Sequence, residues 1–451
     1  MATALVVLAA GKGTRMKSDR PKVLHEVAGA PMLVHALRAG AAISPARTIV
    51  VTGHGAEAVA TAASAWDPQV ELAHQAEQLG TGHAVDQCRA ALAEFDGDVI
   101  VLYGDTPFIR PETLAAMQAA RATHDIVVLG FEAADPGRYG RLRMDGQSLE
   151  AIVEFKDASD REKAITLCNS GVIAADAATL FSLLEAVGND NASGEYYLTD
   201  VVGLARARGL SATVVTCDEA ETLGVDSPAA LVRANAVYQD RARAELIAAG
   251  VTLLAPETVH LSFDTAIGPD SLLEPNLVFG PGVTIENGAT IRAFSHLEGC
   301  HVARGAVIGP YARLRPGAEL SEDTRIGNFV EIKNAQIHAG AKVNHLTYIG
   351  DAELGEGTNV GAGTVTCNYD GVFKHRTTIG RNVFVGSDTM LVAPVTLGDD
   401  SMTASGTVVT EDVPDGALAL GRSRQVNKAG LARRMFEKLK AMKARRDKDS
   451  Q

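Results

Sequence analysis

The sequence predicts two folds in one chain: an α/β unit on a mostly parallel sheet, then a parallel β-helix, with one helix between them. Three observations predict this. Short runs rich in Val and Ile alternate with helix-like stretches over residues 1–227. An Ala-rich stretch without internal Gly or Pro covers 228–249. After it, an aliphatic residue recurs every six positions almost to the end. At 451 residues the chain is too long for one ordinary core, and 46% hydrophobic with 22% charged residues is the balance of a folded protein in water.

Strands of the first unit are read at 5–10, 48–52, 99–103, 126–131 and 212–216, short apolar runs of the kind buried on both faces. Helices are read at 31–42 and 112–122. This alternation gives a sheet covered on both faces, with ligands beyond the carboxyl ends of its strands. The first strand runs into LAAGKGTRM, residues 8–16. No second glycine precedes a lysine at the distance a G-x-x-x-x-G-K-[ST] loop needs, and Met16 stands where a dinucleotide fingerprint wants a small residue. Gly11 and Gly13 are expected to turn backbone N–H groups towards an anion. Arg15 and, after the rigid Pro21, Lys22 are the cations for its phosphates. One such cation is ordinarily a solvated surface charge; two, with two glycines straight after a buried strand, point to a site. Asp105 ends the run VIVLYGD and is placed as a Mg²⁺ ligand, since it lies too far before the helix near Pro111 to be its cap.

The helix at 228–249 is expected to end at Gly250. The six-residue period begins Ile267, Leu273, Phe279, Ile285, Ile291, Leu297, slips by one to run from Val302 to Ile332, and slips again at Ile337. It resumes at Ile379 and continues to Val409. Three hexads closing an 18-residue triangular coil account for this, with the aliphatic residues inward. A β-sandwich that happens to be rich in Gly, Val and Ile does not. The interruption CNYDGVFKHRTT, 367–378, is placed as an outside loop able to bind a ligand. With 18 residues to a coil, Arg315 and Lys333 should stack as a phosphate clamp.

The net charge is −13, but Arg422 to Gln451 holds eleven basic and three acidic residues, leaving about −21 on the rest. That body is a poor bulk binder of nucleic acid, so no nucleic-acid partner is expected. The basic tail reads as a solvated helix, an RNA or membrane contact, or a cover over an anionic ligand. No apolar stretch is long enough to span a bilayer, and no membrane partner is expected. The five dispersed cysteines, Cys88, Cys168, Cys217, Cys300 and Cys367, form no C-x-x-C pair and suggest free thiols in the cytoplasm.

LAAGKGTRM and PKVLHEVAG, together with QAEQLGTGHA (75–84), LYGDTPF (102–108), YGRL (139–142), IVEFKDA (152–158), NSG (169–171) and GEYYLTD (194–200), resemble the sugar-nucleotide pyrophosphorylases. With the hexapeptide half attached, nearly the whole chain resembles the bacterial bifunctional N-acetylglucosamine-1-phosphate uridyltransferase / glucosamine-1-phosphate N-acetyltransferase family. The resemblance implies a Rossmann-like nucleotidyltransferase domain over 1–227, a helical linker over 228–249, and a left-handed β-helix acetyltransferase domain over 250–451. It implies acetyl-CoA-dependent acetylation of glucosamine 1-phosphate. Uridyl transfer from UTP to N-acetylglucosamine 1-phosphate would follow, with Mg²⁺ as cofactor and release of pyrophosphate. It also implies a homotrimer whose product serves cell-wall peptidoglycan, with lipopolysaccharide as a destination the sequence does not distinguish.

In the first domain the resemblance implies base contacts from Leu8, Ala9, Ala10, Gly11, Gln75, Gly80 and Thr81. Sugar contacts fall to Gly140, Glu154 and Asn169, with Tyr103 beside the metal; Asn and Glu suit hydroxyls and an acetamido group. The second metal ligand of the family is an Asn in a G-V-N motif. Here the motif reads GVDS, so Asp226 takes that place with an added negative charge.

In the second domain KVNHLTYIG supplies His345, whose ordinary pKa suits a general base for the attacking amine, help worth roughly 10²–10⁴ in rate. A histidine on a solenoid face is more often merely solvated, but Arg315, Lys333 and Tyr348 share its coils. The resemblance adds Asn359 and Lys374 around glucosamine 1-phosphate. It gives Asn368, Tyr369, Ala362, Ser387, Ser405 and Arg422 to acetyl-CoA, with the Ser387 backbone at the oxyanion. The family has alanine where Ser405 stands. Two other readings compete. A γ-type carbonic anhydrase needs three histidines converging on zinc, and His296, His301, His338, His345 and His375 do not stack that way. A prism serving only as scaffold has no use for the NHLTY and CNYDG stretches.

Overall fold

The structure, a computed structural model, describes residues 2–449. The chain forms two compact units. One holds the residues up to Ala266 together with Val278–Val283; the other holds Ile267–Leu277 and the residues from Thr284 on.

Among the described residues the first unit carries a nine-stranded sheet: β1 (Ala2–Ala9), β2 (Arg47–Thr52), β3 (Glu71–His74), β4 (Gly97–Tyr103), β5 (Ile126–Glu132), β6 (Arg141–Asp145), β7 (Ser148–Val153), β8 (Leu167–Asp176) and β9 (Ala212–Cys217). The order is β9-β5-β8-β4-β1-β2-β3, with the β6–β7 hairpin attached through β8. β1 is parallel to both β2 and β4, whereas β8 runs antiparallel between β4 and β5. The chain leaves β1 to one side for β2 and β3, then returns to its other side as β4. That reversal opens a crevice beyond the carboxyl ends of β1 and β4.

The strand expected at 5–10 starts earlier, because Ala2 to Ala4 pair with Gly97 to Val99, and stops at Ala9 where the chain turns out of the sheet. Helices α1 (Met32–Ala41) and α2 (Pro111–Arg121) lie close to their expected spans. The stretch at 228–249 forms α3 (Pro228–Ala248), capped by Ser227 and ended by Gly250 at φ +91°. It does not stand free: Ala234 and Tyr238 are buried against Val27, Met32, Phe108 and Val225 of the first unit.

The second unit is the parallel β-helix. Ile291, Ile308, Ile326, Val343 and Val360 pair in register down one face, and Leu297, Leu314, Ile332 and Ile349 down another. The steps are 17 or 18 residues, so the one-residue slips are coils closed by a shortened hexad. After Val360 the next partner is Val385, because the loop at 367–378 is looped out. The basic tail forms α4 (Leu431–Asp449), and Ser450 and Gln451 lie outside the described residues. Among the described residues no helix is long and apolar enough to cross a membrane.

Ile332 is fully buried between Leu314 and Ile349. Truncating it empties one layer of a stacked column that has little means of collapsing. Ile332→Ala is expected to lower unfolding stability by about 2–5 kcal/mol, read by urea unfolding under circular dichroism. A loss below about 0.5 kcal/mol, the scale of an ordinary surface change, would show that the column does not carry the fold.

Candidate functional site

Beyond β1, Gly13 adopts the left-handed region at φ +59°, and a Cβ there would come within 2.6 Å of the Lys22 Cβ. Gly13 is therefore what lets Lys22 lie against the loop. Gly11, expected to share that role, has no left-handed φ and faces open space. Lys22 opens a short 3-10 turn, Lys22–Leu24, and its ammonium is bonded to the carboxylate of Asp105 just past β4. Both side chains are about four-fifths buried (18% and 19% exposed), so the pair is far less screened than a surface one. Arg15 Nη1 lies 2.8 Å from Asp226 Oδ2. The Val225 N–H donates to the Asp105 carbonyl at 3.0 Å, which ties the two acidic positions together. All four side chains face one cavity of about 760 Å³. Arg138 and Lys156 add two cations to its wall and Glu154 a third carboxylate.

A second cavity of about 290 Å³ meets the first at Lys22 and Asp105. Its walls include Leu8, Ala9, Ala10, Gly11, Gln75, Gly80, Thr81 and Tyr103, eight of the residues expected around a nucleotide. Gln75 is buried, and its Nε2 donates to the Gly80 carbonyl at 3.1 Å. Gly80 sits at φ +119°, ψ 175°, a region open in practice to glycine alone, and a Cβ would strike the Tyr196 carbonyl at 2.5 Å. The Thr81 hydroxyl accepts from the Leu198 N–H at 3.1 Å, lacing this loop to GEYYLTD. Burial pushes the Tyr103 phenol well above its ordinary pKa, against a bond with Thr81 that pulls it down.

On the side expected to take the sugar, the Asn169 N–H donates to the Gly140 carbonyl at 2.8 Å, and Gly140 stands beside the Glu154 carboxylate. Desolvation raises the Glu154 pKa, Asp200 and Asp157 reinforce it, and the Thr199 hydroxyl at 3.1 Å opposes it. Among the described residues no group of three or more His, Cys, Asp or Glu could hold a metal alone. Asp105 and Asp226 leave most coordination places to phosphate oxygens and water, which is how Mg²⁺ is commonly held. The donors present fit that ion.

In the second unit Arg315 and Lys333 occupy stacked positions one coil apart, as the 18-residue spacing predicts: the Arg315 N–H donates to Ile332 O at 2.9 Å. Arg315 pairs with Glu331 at 2.8 Å, and Lys333 lies 3.6 Å from Asp351. Lys374 reaches in from the loop at 367–378. The adjacent Lys333 ammonium holds its pKa below the ordinary lysine value, and Arg315 adds to that. Asn368 donates to Asp351 and, at 3.5 Å, to the Tyr348 hydroxyl. The structure thus brings together Arg315, Lys333, Tyr348, Asn368 and Lys374. Asn359 stands on the neighbouring face between Lys342 and Phe384. Tyr369 projects from the loop, whose turn is organised by Asp370: a bond from His375, then the Phe373 and Val372 N–H groups, pull its pKa down to about 2.

His345 is exposed at a corner of the prism, its Nδ1 2.9 Å from Asn328 Oδ1 one coil away. An amide oxygen only accepts, so a neutral ring pairs with it through Nδ1–H, the tautomer that leaves the Nε2 lone pair available. Backbone bonds run up this corner from Gly363 N–H to His345 O (3.3 Å), Asp388 N–H to Ala362 O (2.7 Å) and Gly406 N–H to Ser387 O (2.8 Å). Arg422 Nη1 then donates to the Ser405 carbonyl at 2.7 Å. His345, Ala362, Ser387, Ser405 and Arg422 therefore form one column. Asp351, Asn328 and Arg138, which position or line these sites, were not singled out in the sequence; only proximity in the fold marks them.

Residues 5–193 match the model of the MobA-like NTP transferase domain. The chain is 68% identical over 448 residues to the "Bifunctional protein GlmU" of Ruegeria sp. (strain TM1040), covering 99% of this chain and 100% of the relative. It is 69% identical over 450 residues, 100% of both, to that of Ruegeria pomeroyi. It is 62% identical over 446 residues, 99% and 98%, to that of Jannaschia sp. (strain CCS1).

Glu154 carries a testable consequence. A carboxyl whose folded pKa exceeds its unfolded value holds its proton more tightly when folded, so stability falls as pH rises from the unfolded value through the folded one. At pH 7, above the unfolded value, the raised pKa of Glu154 is therefore a burden on the fold. Glu154→Gln is expected to raise the thermal midpoint at pH 7 and to show a smaller gain at pH 4, while binding of the sugar phosphate weakens. A midpoint gain that is larger at pH 4 than at pH 7 would refute the burial argument.

Proposed function

The chain belongs to the GlmU family of bifunctional enzymes, which carry the uridyltransferase and acetyltransferase steps of UDP-N-acetylglucosamine synthesis, and from that premise we propose how its residues divide the two reactions. Residues 1–227 perform uridyl transfer, 228–249 form a helical connection, and 250–451 perform acetyl transfer. The observation that carries this reading is that one chain holds a cation–carboxylate cluster at the mouth of β1 and β4, a histidine-headed column and a cluster of three crowded cations.

In the first reaction an oxygen of N-acetylglucosamine 1-phosphate attacks the α-phosphorus of UTP and the bond to pyrophosphate breaks. Leu8 to Gly11, Gln75, Gly80 and Thr81 line the pocket for the base, while Gly140, Glu154 and Asn169 orient the sugar. Lys22 and Arg15 draw the phosphates into line and neutralise the charge that moves to the leaving group. Asp105 and Asp226 would hold Mg²⁺, which would supply further charge neutralisation on the phosphates.

In the second reaction the amine of glucosamine 1-phosphate attacks the thioester carbon of acetyl-CoA. His345 Nε2 takes the amine proton and returns it to the departing sulfur as the C–S bond breaks. Arg315, Lys333 and Lys374 hold the sugar phosphate, with Tyr348 and Asn359 on the sugar. Ala362, Ser387, Ser405 and Arg422 line the coenzyme's path, and Asn368 and Tyr369 its acyl end. At about 4.8 Å per coil, the corner from His345 to Ser405 runs for roughly 14 Å. Gly361 leaves room beside the Ser387 nitrogen, which a Cβ there would approach to 2.5 Å, and this supports Ser387 N–H as the oxyanion donor. A homotrimer is supported by the exposed ladder of Phe294, Tyr311 and Phe329, stacked at 4.9 and 5.2 Å along the prism. Free cysteines support a cytoplasmic setting.

His345→Ala is expected to abolish acetylation while leaving uridyl transfer near normal, and Asp105→Ala to do the reverse. Coupled assays of both reactions on each folded variant decide. Loss of both activities in either variant would defeat the division into two sites.

A further inference from the structure

The two cations aimed at phosphate and the two carboxylates aimed at metal are bonded to one another. Lys22 holds Asp105, and Arg15 holds Asp226 at 2.8 Å, all four in one cavity. We infer that the Arg15–Asp226 pair is a charge-exchange latch that opens when nucleotide phosphates and Mg²⁺ arrive together. The inference rests on the uridyltransferase reading of this cavity and adds Asp226 as the residue that couples metal binding to nucleotide binding.

The reasoning is electrostatic. A triphosphate arriving without a divalent cation must draw Arg15 away and then face the bared Asp226 carboxylate. A divalent cation arriving without phosphate must displace the guanidinium and leave it beside a dication. Each ligand alone exposes one like-charge contact. When both arrive, Asp226 exchanges a guanidinium for the metal and Arg15 exchanges a carboxylate for phosphate, so every charge is paired before and after. Two ligands that each remove the other's penalty bind with positive coupling. The asparagine of the related G-V-N motif could ligate a metal but could not hold Arg15 by charge. The latch is therefore a property of this sequence at position 226. Arg15 is 73% exposed, which keeps the pair weak enough to open and sets the coupling near the low end of the usual range, about fivefold.

Calorimetric titration of the full-length protein with UTP, once in EDTA and once in saturating MgCl₂, tests this. The proteins compared are wild type, Asp226→Asn, Arg15→Ala and the double variant, each checked for folding by circular dichroism. Arg15→Ala should weaken UTP binding about fivefold with Mg²⁺ and scarcely at all in EDTA. In the Asp226→Asn background it should weaken binding in both conditions, and Asp226→Asn alone should tighten binding in EDTA. An equal effect of Arg15→Ala in both conditions in the wild-type background, or an Asp226→Asn protein whose affinity in EDTA is unchanged, overturns the latch. Folded wild type that binds no UTP in either condition overturns instead the reading of the cavity on which the latch rests.

Discussion

A lysine ammonium held against a largely sheltered carboxylate is the contact on which both proposed sites depend. Lys22 lies on Asp105 in the first unit, and Lys333 lies near Asp351 in the second. A cation waiting for phosphate in a partly desolvated cleft is unstable alone, and removing its partner leaves a bare charge that costs several kcal/mol. Pairing fixes the cation's position and leaves it free to exchange the carboxylate for a ligand. The carboxylates are fixed in turn. Burial by itself would raise the Asp351 pKa, but bonds from the Asn334 and Asn368 amides, together with the Lys333 charge, outweigh it and hold the carboxyl below its usual range. Asp105 is fixed through the backbone, its carbonyl taken by the Val225 N–H.

What could be read from the sequence follows from how each signal is written. β1, β4 and β5 are continuous Val and Ile runs and stood out because buried parallel strands must be apolar on both faces. β8 did not, since Asn169, Ser170 and Gly171 interrupt it where its register against β5 shifts. That interruption has a steric reason: a Cβ at Gly171 would come within 2.7 Å of the Tyr103 ring. β6 and β7 are polar on one side and lack the run entirely. Asp105 was legible because it follows a strand, and Lys22 because it follows the rigid Pro21 downstream of the glycine turn. Their ion pair was not, because its members are 83 residues apart and only the sheet order brings them together.

The prism was the most legible part because its rule is one-dimensional. Each side chain's neighbour is fixed by counting a coil, so Arg315 and Lys333 were placed together by subtraction alone. The same rule builds the column from His345 to Arg422, although the spacing there is irregular and the inserted loop hides it. Counted by coils, Asn359 falls on the face of Lys342 and His345 rather than that of Lys333. The rule reports stacking within a chain and is silent on what lies across a corner.

The two sites differ in how much of their wall one chain supplies. The first pair of cavities is lined by side chains from strands, loops and the GEYYLTD segment of a single unit, with Lys22, Asp105 and Glu154 all largely sheltered. The second site lies on the outside of a convex prism. His345 is exposed, and Tyr369, Val372 and Phe373 project from the loop at 60%, 74% and 68% exposure. A general base in bulk water gains little from its surroundings, and an amine attacking a thioester there competes with solvent. A convex solenoid cannot fold over its own corner, so on the proposed acetyltransferase reading the missing wall would come from outside the coil. In the proposed homotrimer the stacked aromatics along that corner, apolar and uncovered in the chain, would be the surface on which a second copy closes the site.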